Sequence, residues 1–182
     1  SRSPEPPTQT PTPTPPPPPP APKDGEVKPA IHLAMTYCGI LTLLTLGDSL
    51  SSVDGAAVMR GVKSLQNLDA SKDGPLYGSF KSHHQGSESD MRFCYCAVAV
   101  ERALWKTVHP GAPYDAADET YIDKTALLGF VKACKTYDGG LGLFPGGESH
   151  GGSYFTGLAT LEILGAVDDV FTAEERLRAV EW

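Results

Sequence analysis

The chain has 182 residues, with 22 acidic side chains against 15 basic ones, a formal net charge of −7 and a pI near 5.1. An acidic balance with no stripe of Lys and Arg argues against nucleic acid as a main partner, because phosphate-backbone binding needs concentrated positive charge. The longest unbroken apolar run, Phe93 to Val100, is too short to cross a bilayer, and no charged-then-apolar signal opens the chain, so a soluble, cytoplasmic protein is expected.

Residues Ser1 to Ala30 hold 13 of the 17 prolines and almost no large apolar side chains. Such a stretch cannot build a core, since proline removes backbone donors and little apolar surface offsets the entropy of ordering. Positions 1–30 are therefore expected to be an extended or disordered linker or insertion. Pro-x-x-P registers run through it, so a docking role stands beside that of a spacer. The foldable part is 31–182. The start of the chain at Ser1, without methionine, and its close at Trp182 inside a helical pattern predict an internal fragment of something longer.

From His32 to Leu46 the chain is apolar nearly all round, which predicts a helix enclosed by neighbours and ended at Gly47-Asp48. Ser52 is the expected cap of a second helix, with Val53, Ala57, Val58, Gly61, Val62 and Leu65 on its buried face and Gln66 off it. Asn67 to Glu88 reads as a long polar loop. Asp90 is expected to cap an apolar helix from Met91 to about Trp105. His109 to Ala117 is turn-rich, and Tyr121 to Lys135 is amphipathic with Leu127, Leu128, Val131 and Cys134 together. A glycine loop from Tyr137 to Gly147 precedes another apolar helix at about Tyr154 to Leu164. The last segment is amphipathic, with Thr172 and Glu175 forming a capping box. Cys38, Cys94, Cys96 and Cys134 lie in these apolar stretches without metal-knuckle spacing, and small buried thiols are expected.

The pattern is an internal repeat. Thr36-Tyr37-Cys38-Gly39, Cys94-Tyr95-Cys96-Ala97 and Tyr154-Phe155-Thr156-Gly157 superpose at spacings of 58 and 60 residues, each followed by an apolar helix, a break and an amphipathic helix. Repeats of this length predict stacked helical hairpins in two concentric layers, an all-α, α-α toroid. Parallel inner helices would gather their N-termini at one rim, which favours anions. His32, Arg92 and His150 begin the three inner helices, and His150-Gly151-Gly152 offers an imidazole with backbone N–H groups at a helix start. Below the rim lie Tyr37, Tyr95 and Phe155. Cations above an aromatic funnel suit an amphiphile with an anionic head; the plainer alternative makes these rings core and pairs Arg92 with Asp90 or Glu88. His83-His84 lack a third ligand at sensible spacing and are expected to be a solvated loop.

The stretches Gly86-Ser87-Glu88-Ser89-Asp90-Met91-Arg92-Phe93-Cys94-Tyr95-Cys96, His32-Leu33-Ala34-Met35-Thr36-Tyr37 and Glu148-Ser149-His150-Gly151-Gly152 resemble the β subunits of protein prenyltransferases, over about Ile31 to Trp182. Asp90 to Phe93 and Met35, where the farnesyl enzymes would have proline, favour the type I geranylgeranyl class. The resemblance implies a heterodimer with an α subunit, dependent on zinc, that moves an isoprenoid from geranylgeranyl diphosphate to the cysteine of a C-terminal CaaX sequence, usually ending in Leu. It implies His150 at the diphosphate; Arg92, Tyr95, Tyr37, Gly152 and Thr156 along the isoprenoid; and His32, Ala34 and Arg92 near the peptide. Thr156 departs from the family's usual Cys. The family's Asp-x-Cys zinc pair is absent, so metal ligands are expected beyond Trp182 and the fragment is expected to be inactive alone. Rivals are a farnesyl enzyme, a non-catalytic toroid with a proline-rich recruiting arm, and a cyclase-like toroid, the last lacking an Asp-rich initiating motif.

Overall fold

A computed structural model describes residues 32–86 and 88–180, with side chains to Leu177. The expectations for Ser1 to Ala30 fall outside the described residues. The fold is all helical: α1 (Leu33–Thr45), α2 (Gly55–Lys63), α3 (Ala70–Asp73), α4 (Met91–Val108), α5 (Lys124–Ala133), α6 (Gly151–Leu164), α7 (Val167–Val170) and α8 (Ala173–Val180). A short 3₁₀ turn, Gly74–Leu76, follows α3. Among the described residues no helix is long and apolar enough to cross a membrane.

Helix α4 is the centre, packed against α1, α2 and α6. Its sequence is apolar round most of its circumference, and ten of its residues are buried, from Met91 to Trp105. Asp90 caps it as expected, its carboxylate accepting from the Arg92 N–H. The other two apolar helices behave differently. In α1 only Leu33 and Ile40 are buried, while Met35 is 71% exposed. The expectation of an enclosed α1 is therefore corrected: α1 and α6 flank α4, α6 also meets α7, and much of α1 is exposed. The same geometry leaves Cys38 exposed, whereas Cys94, Cys96 and Cys134 are buried. Burial pushes the Cys96 thiol up to about 11 and Cys134 up to about 12, so both remain protonated.

Several local expectations also shift. Asp54, not Ser52, caps α2, because its carboxylate reaches the Ala57 N–H at 2.9 Å. Met59 joins Val62 and Leu65 in the core. Gln66 is buried and pairs like a peptide unit with Asp123, accepting from its N–H at 2.9 Å and donating to its carbonyl at 2.8 Å. That double bond ties the end of α2 to the cap of α5. The segment 67–88 is more than a polar loop: it contains α3 and the 3₁₀ turn, buries Phe80 completely, and holds Asn67 between Ser79 and Ser89. Two isolated bridges organise it, Gln66 with Phe80 and Lys81 with Ser89, and the glycine loop before α6 has the matching pair, Lys135 with Leu141 and Gly142 with Ser149. The helical repeat thus extends into its connectors.

A buried ion pair joins α4 to α5. Lys124 Nζ lies 3.3 Å from Glu101 Oε2, with side chains only 6% and 2% exposed. Tyr114 also donates to Glu101, and Glu101 Oε1 is buried without a partner. Burial outweighs Lys124 and holds the Glu101 carboxyl above its ordinary range. Removing one member strands the other, so Glu101→Gln is expected to lower the unfolding free energy by about 3–5 kcal/mol, whereas the apolar double variant Glu101→Leu/Lys124→Met recovers most of that loss. Urea denaturation of the full chain measures both.

The expected capping box of α8 is present: Glu175 N–H donates to Thr172 Oγ1 at 3.2 Å and Thr172 N–H to Glu175 Oε2 at 2.8 Å. Lys135 reaches the same carboxylate at 2.7 Å. That hydrogen bond, with the Thr172 backbone, holds Glu175 down from 4.5 to about 2. A depressed carboxyl stabilises the folded state above its unfolded pKa and loses that contribution as pH falls through the folded value. The protection of α8 amides relative to their intrinsic exchange rates is accordingly expected to fall as pH drops from 4.5 towards 2. Glu175→Gln should show fast exchange already at neutral pH and flatten the profile.

Candidate functional site

The three helices α1, α4 and α6 run parallel with matched ends. Tyr37, Tyr95 and Phe155 each occupy the fifth position of their helix. Their rings form a continuous ladder, Tyr37 to Tyr95 at 5.5 Å and Tyr95 to Phe155 at 5.8 Å between centroids, all edge to face. The Tyr37 hydroxyl donates to that of Tyr95 at 3.3 Å. Burial, then this bond, raises the Tyr37 phenol well above its ordinary value, so it stays a neutral donor. Tyr37 and Tyr95 are half-buried, and Phe155 is 61% exposed. The plainer reading that these rings are simply core is thereby set aside for Phe155, whose helix face continues into a cavity of about 370 Å³ lined by Leu158, Ala159, Glu162 and Val167.

Two staples hold this register. The first N–H of α1, at Leu33, donates to Ser82 O at 2.8 Å, and that of α4, at Met91, donates to Leu143 O at 2.9 Å. The first two inner helices, α1 and α4, are thus each fastened to the connector that leads into the next. Gly157 lets α6 close on the connector before it: a Cβ there would stand 2.4 Å from Leu141 Cδ1, whereas Met91 Cε of α4, at 3.5 Å, would be in ordinary contact. Leu141 is fully buried and cannot retreat.

At the rim, each basic side chain is already engaged. Arg92 forms a fork on Asp90, Nε at 3.0 Å and Nη2 at 2.6 Å, with Glu88 at 3.7 Å, which is the pairing alternative read from sequence. The Asp90 bond, then its charge, raises the Arg92 guanidinium further. Its side chain remains 51% exposed, so the pairing positions it at the surface without burying it. His32 is half-buried, stacked on His83 at 5.5 Å and edge-on to Phe93 at 6.2 Å, with Nδ1 buried and unpartnered. It is not a freely presented cation. Of the pair expected in a solvated loop, His84 is exposed with Nε2 3.1 Å from Ser64 Oγ, while His83 is half-buried with Nδ1 2.9 Å from Ser82 Oγ.

His150 corrects the sequence reading most. The loop was expected to bring free backbone N–H groups beside the imidazole. Instead α6 begins at Gly151, three residues before the expected start, and His150 is its N-cap. His150 Nδ1 accepts from the Gly152 N–H at 3.1 Å and the Ser153 N–H at 3.3 Å. The His150 N–H in turn donates to Ser153 Oγ at 3.2 Å, which completes a capping box. Asp, Asn, Ser and Thr are the usual caps, so a histidine in this role carries little sequence signal. Thr156 donates its hydroxyl to Gly152 O at 3.1 Å and Ser153 O at 3.2 Å, which satisfies this polar group within the helix. Ala34 is half-buried against the core. Among the described residues no three His, Cys, Asp or Glu side chains converge as ligands for a metal.

Comparison with known proteins agrees with this arrangement. Residues 20–182 match the family described as the prenyltransferase alpha-alpha toroid domain. The chain is 35% identical over 136 residues to the geranylgeranyl transferase type-1 subunit beta of Arabidopsis thaliana, covering 75% of this chain and 31% of that protein. It is 34% identical over 139 residues to the protein farnesyltransferase subunit beta of Pisum sativum, covering 75% and 28%. The chain therefore spans about a third of the length of these relatives. Among solved structures, Candida albicans protein geranylgeranyltransferase-I complexed with GGPP shares the fold, with a TM-score of 0.60 at 22% identity over 75% of this chain and 36% of that one. Parallel inner helices in repeated register, the shared fold and the match over 20–182 lead to one assignment: this chain belongs to the prenyltransferase α-α toroid family.

Proposed function

We propose that this chain is part of the β subunit of a type I protein geranylgeranyltransferase, which with an α subunit transfers the isoprenoid of geranylgeranyl diphosphate to the cysteine of proteins ending in CaaX, with Leu the usual last residue. The observation that carries the proposal is the aromatic ladder Tyr37–Tyr95–Phe155, a continuous apolar wall that begins one helical turn below the rim bearing Arg92 and His150. An isoprenoid diphosphate has matching chemistry, an apolar chain with an anionic head.

In this reading the cysteine sulfur forms a bond to C1 of the isoprenoid as the C1–O bond breaks; diphosphate leaves with the electron pair and the thiol proton is lost to solvent. His150 donates to the departing diphosphate. Tyr37, Tyr95, Gly152 and Thr156 border the isoprenoid, Arg92 lies between isoprenoid and peptide, and His32 and Ala34 stand near the aliphatic residues of the peptide. The family's zinc has no ligand set among the described residues, so no step is assigned to it through this chain's own groups. The farnesyl alternative is supported by the 34% identity to the Pisum sativum relative.

The complete subunit, co-expressed with its α partner and offered both diphosphates and a leucine-ending peptide, is expected to prefer geranylgeranyl transfer. Preferential farnesyl transfer would overturn the type I assignment, and transfer of neither would leave a non-catalytic toroid. Tyr95→Ala removes the middle ring and both of its aromatic contacts, together about 1–3 kcal/mol. In the same assay it is expected to raise KM for geranylgeranyl diphosphate about tenfold with a smaller change in KM for the peptide.

A further inference from the structure

We infer that α6 itself selects the tautomer of His150, with Gly152 and Ser153 as positioning residues, so that the group meeting an anion is a single Nε2–H donor. The inference rests on the proposed reading that His150 faces the diphosphate. Nδ1 is the acceptor for two backbone N–H groups, at 3.1 and 3.3 Å. A nitrogen that accepts carries no proton, so the ring's proton is on Nε2. The backbone that carries the ring is fixed too, because Ser153 Oγ accepts the His150 backbone N–H at 3.2 Å while donating to Leu141 O at 2.6 Å. Ser153 and Leu141 are both fully buried, so the brace does not compete with water.

Gly152 supplies the space. A Cβ there would lie 3.1 Å from His150 Cε1 and 3.2 Å from Nδ1, tighter than ordinary contact, so a side chain would shift the imidazole and misalign it on its two donors. The φ of this residue is that of an ordinary helix, which means the glycine is needed for the ring and not for the backbone. The resemblance placed Gly152 along the isoprenoid; the geometry gives it a second task, holding a histidine over the helix start. A further consequence is that the Gly152 and Ser153 N–H groups become available to an anion only if the ring swings away.

The test uses the complete subunit with its α partner, with histidine nitrogens isotopically labelled and pyrophosphate and geranylgeranyl diphosphate as probes. The nitrogen spectrum is expected to show His150 Nδ1 unprotonated and Nε2 protonated. Gly152→Ala should scramble that signature and weaken both probes by roughly 10- to 100-fold, the loss expected when a hydrogen bond to a charged group is misaligned. Alanine is the better helix former, which offsets the weakened cap, so Tm should fall less than in His150→Ala, and this separates positioning from folding. His150→Asp keeps a cap acceptor and should hold Tm while losing affinity; His150→Ala should lose both. If His150→Ala loses affinity but Gly152→Ala leaves tautomer and affinity as in the parent, the inference fails and the site reading survives. If His150→Ala binds both probes as tightly as the parent, the site reading itself fails.

Discussion

The matched register of α1, α4 and α6 is the constraint on which the rest of the structure depends. A staple from each of the first two helices to the following connector, Leu33 to Ser82 and Met91 to Leu143, sets the helix ends level. With the ends level, residues at equal depth in successive repeats meet across the interface. That is why Tyr37, Tyr95 and Phe155 touch in series although they lie 58 and 60 residues apart in the chain. A shift of one residue on any helix would rotate its ring by about 100° away from its neighbour. The ladder is thus a readout of the register as much as a cavity wall.

The rim follows from the same register but is built differently in each repeat. Arg92 is held by a carboxylate fork, His32 by ring stacking, and His150 by the backbone of its own helix. None of the three is a loose side chain waiting for a ligand. Groups fixed before a charged substrate arrives need little reorganisation when it binds, which is the condition under which a hydrogen-bond donor stabilises a leaving anion most. The engagement also sets limits. Arg92 must share its guanidinium with Asp90, and His150 can offer one N–H while it caps α6.

Much of the architecture was legible in the sequence because it rests on periodicity. The helix starts at Met91, the cap at Asp90, the box at Thr172 and Glu175 and the threefold repeat all follow from spacing and side-chain type. The burial of α1 was not legible, since an apolar circumference reports what a helix can bury and not which neighbours are at hand. Gln66 and Asn67 were read as polar and therefore outside, yet their amides satisfy backbone and hydroxyl groups in a connector that has no ladder of its own. His150 was misjudged because a capping imidazole looks like any loop histidine until its Nδ1 is seen against two N–H groups. The buried Glu101–Lys124 pair left no mark either, as a charge on an apolar helix reads equally well as its wet edge.

The functional reading turns on whether an isoprenoid lies against the ladder. Photoaffinity labelling of the complete heterodimer with a geranylgeranyl diphosphate analogue carrying a photoreactive group along its chain, mapped by mass spectrometry, tests it most directly. Within this chain, labels are expected on the stripe of Tyr37, Tyr95, Thr156 and Phe155 and are competed away by geranylgeranyl diphosphate. Competable labelling on α2 or α5, with this stripe unmodified, would contradict it.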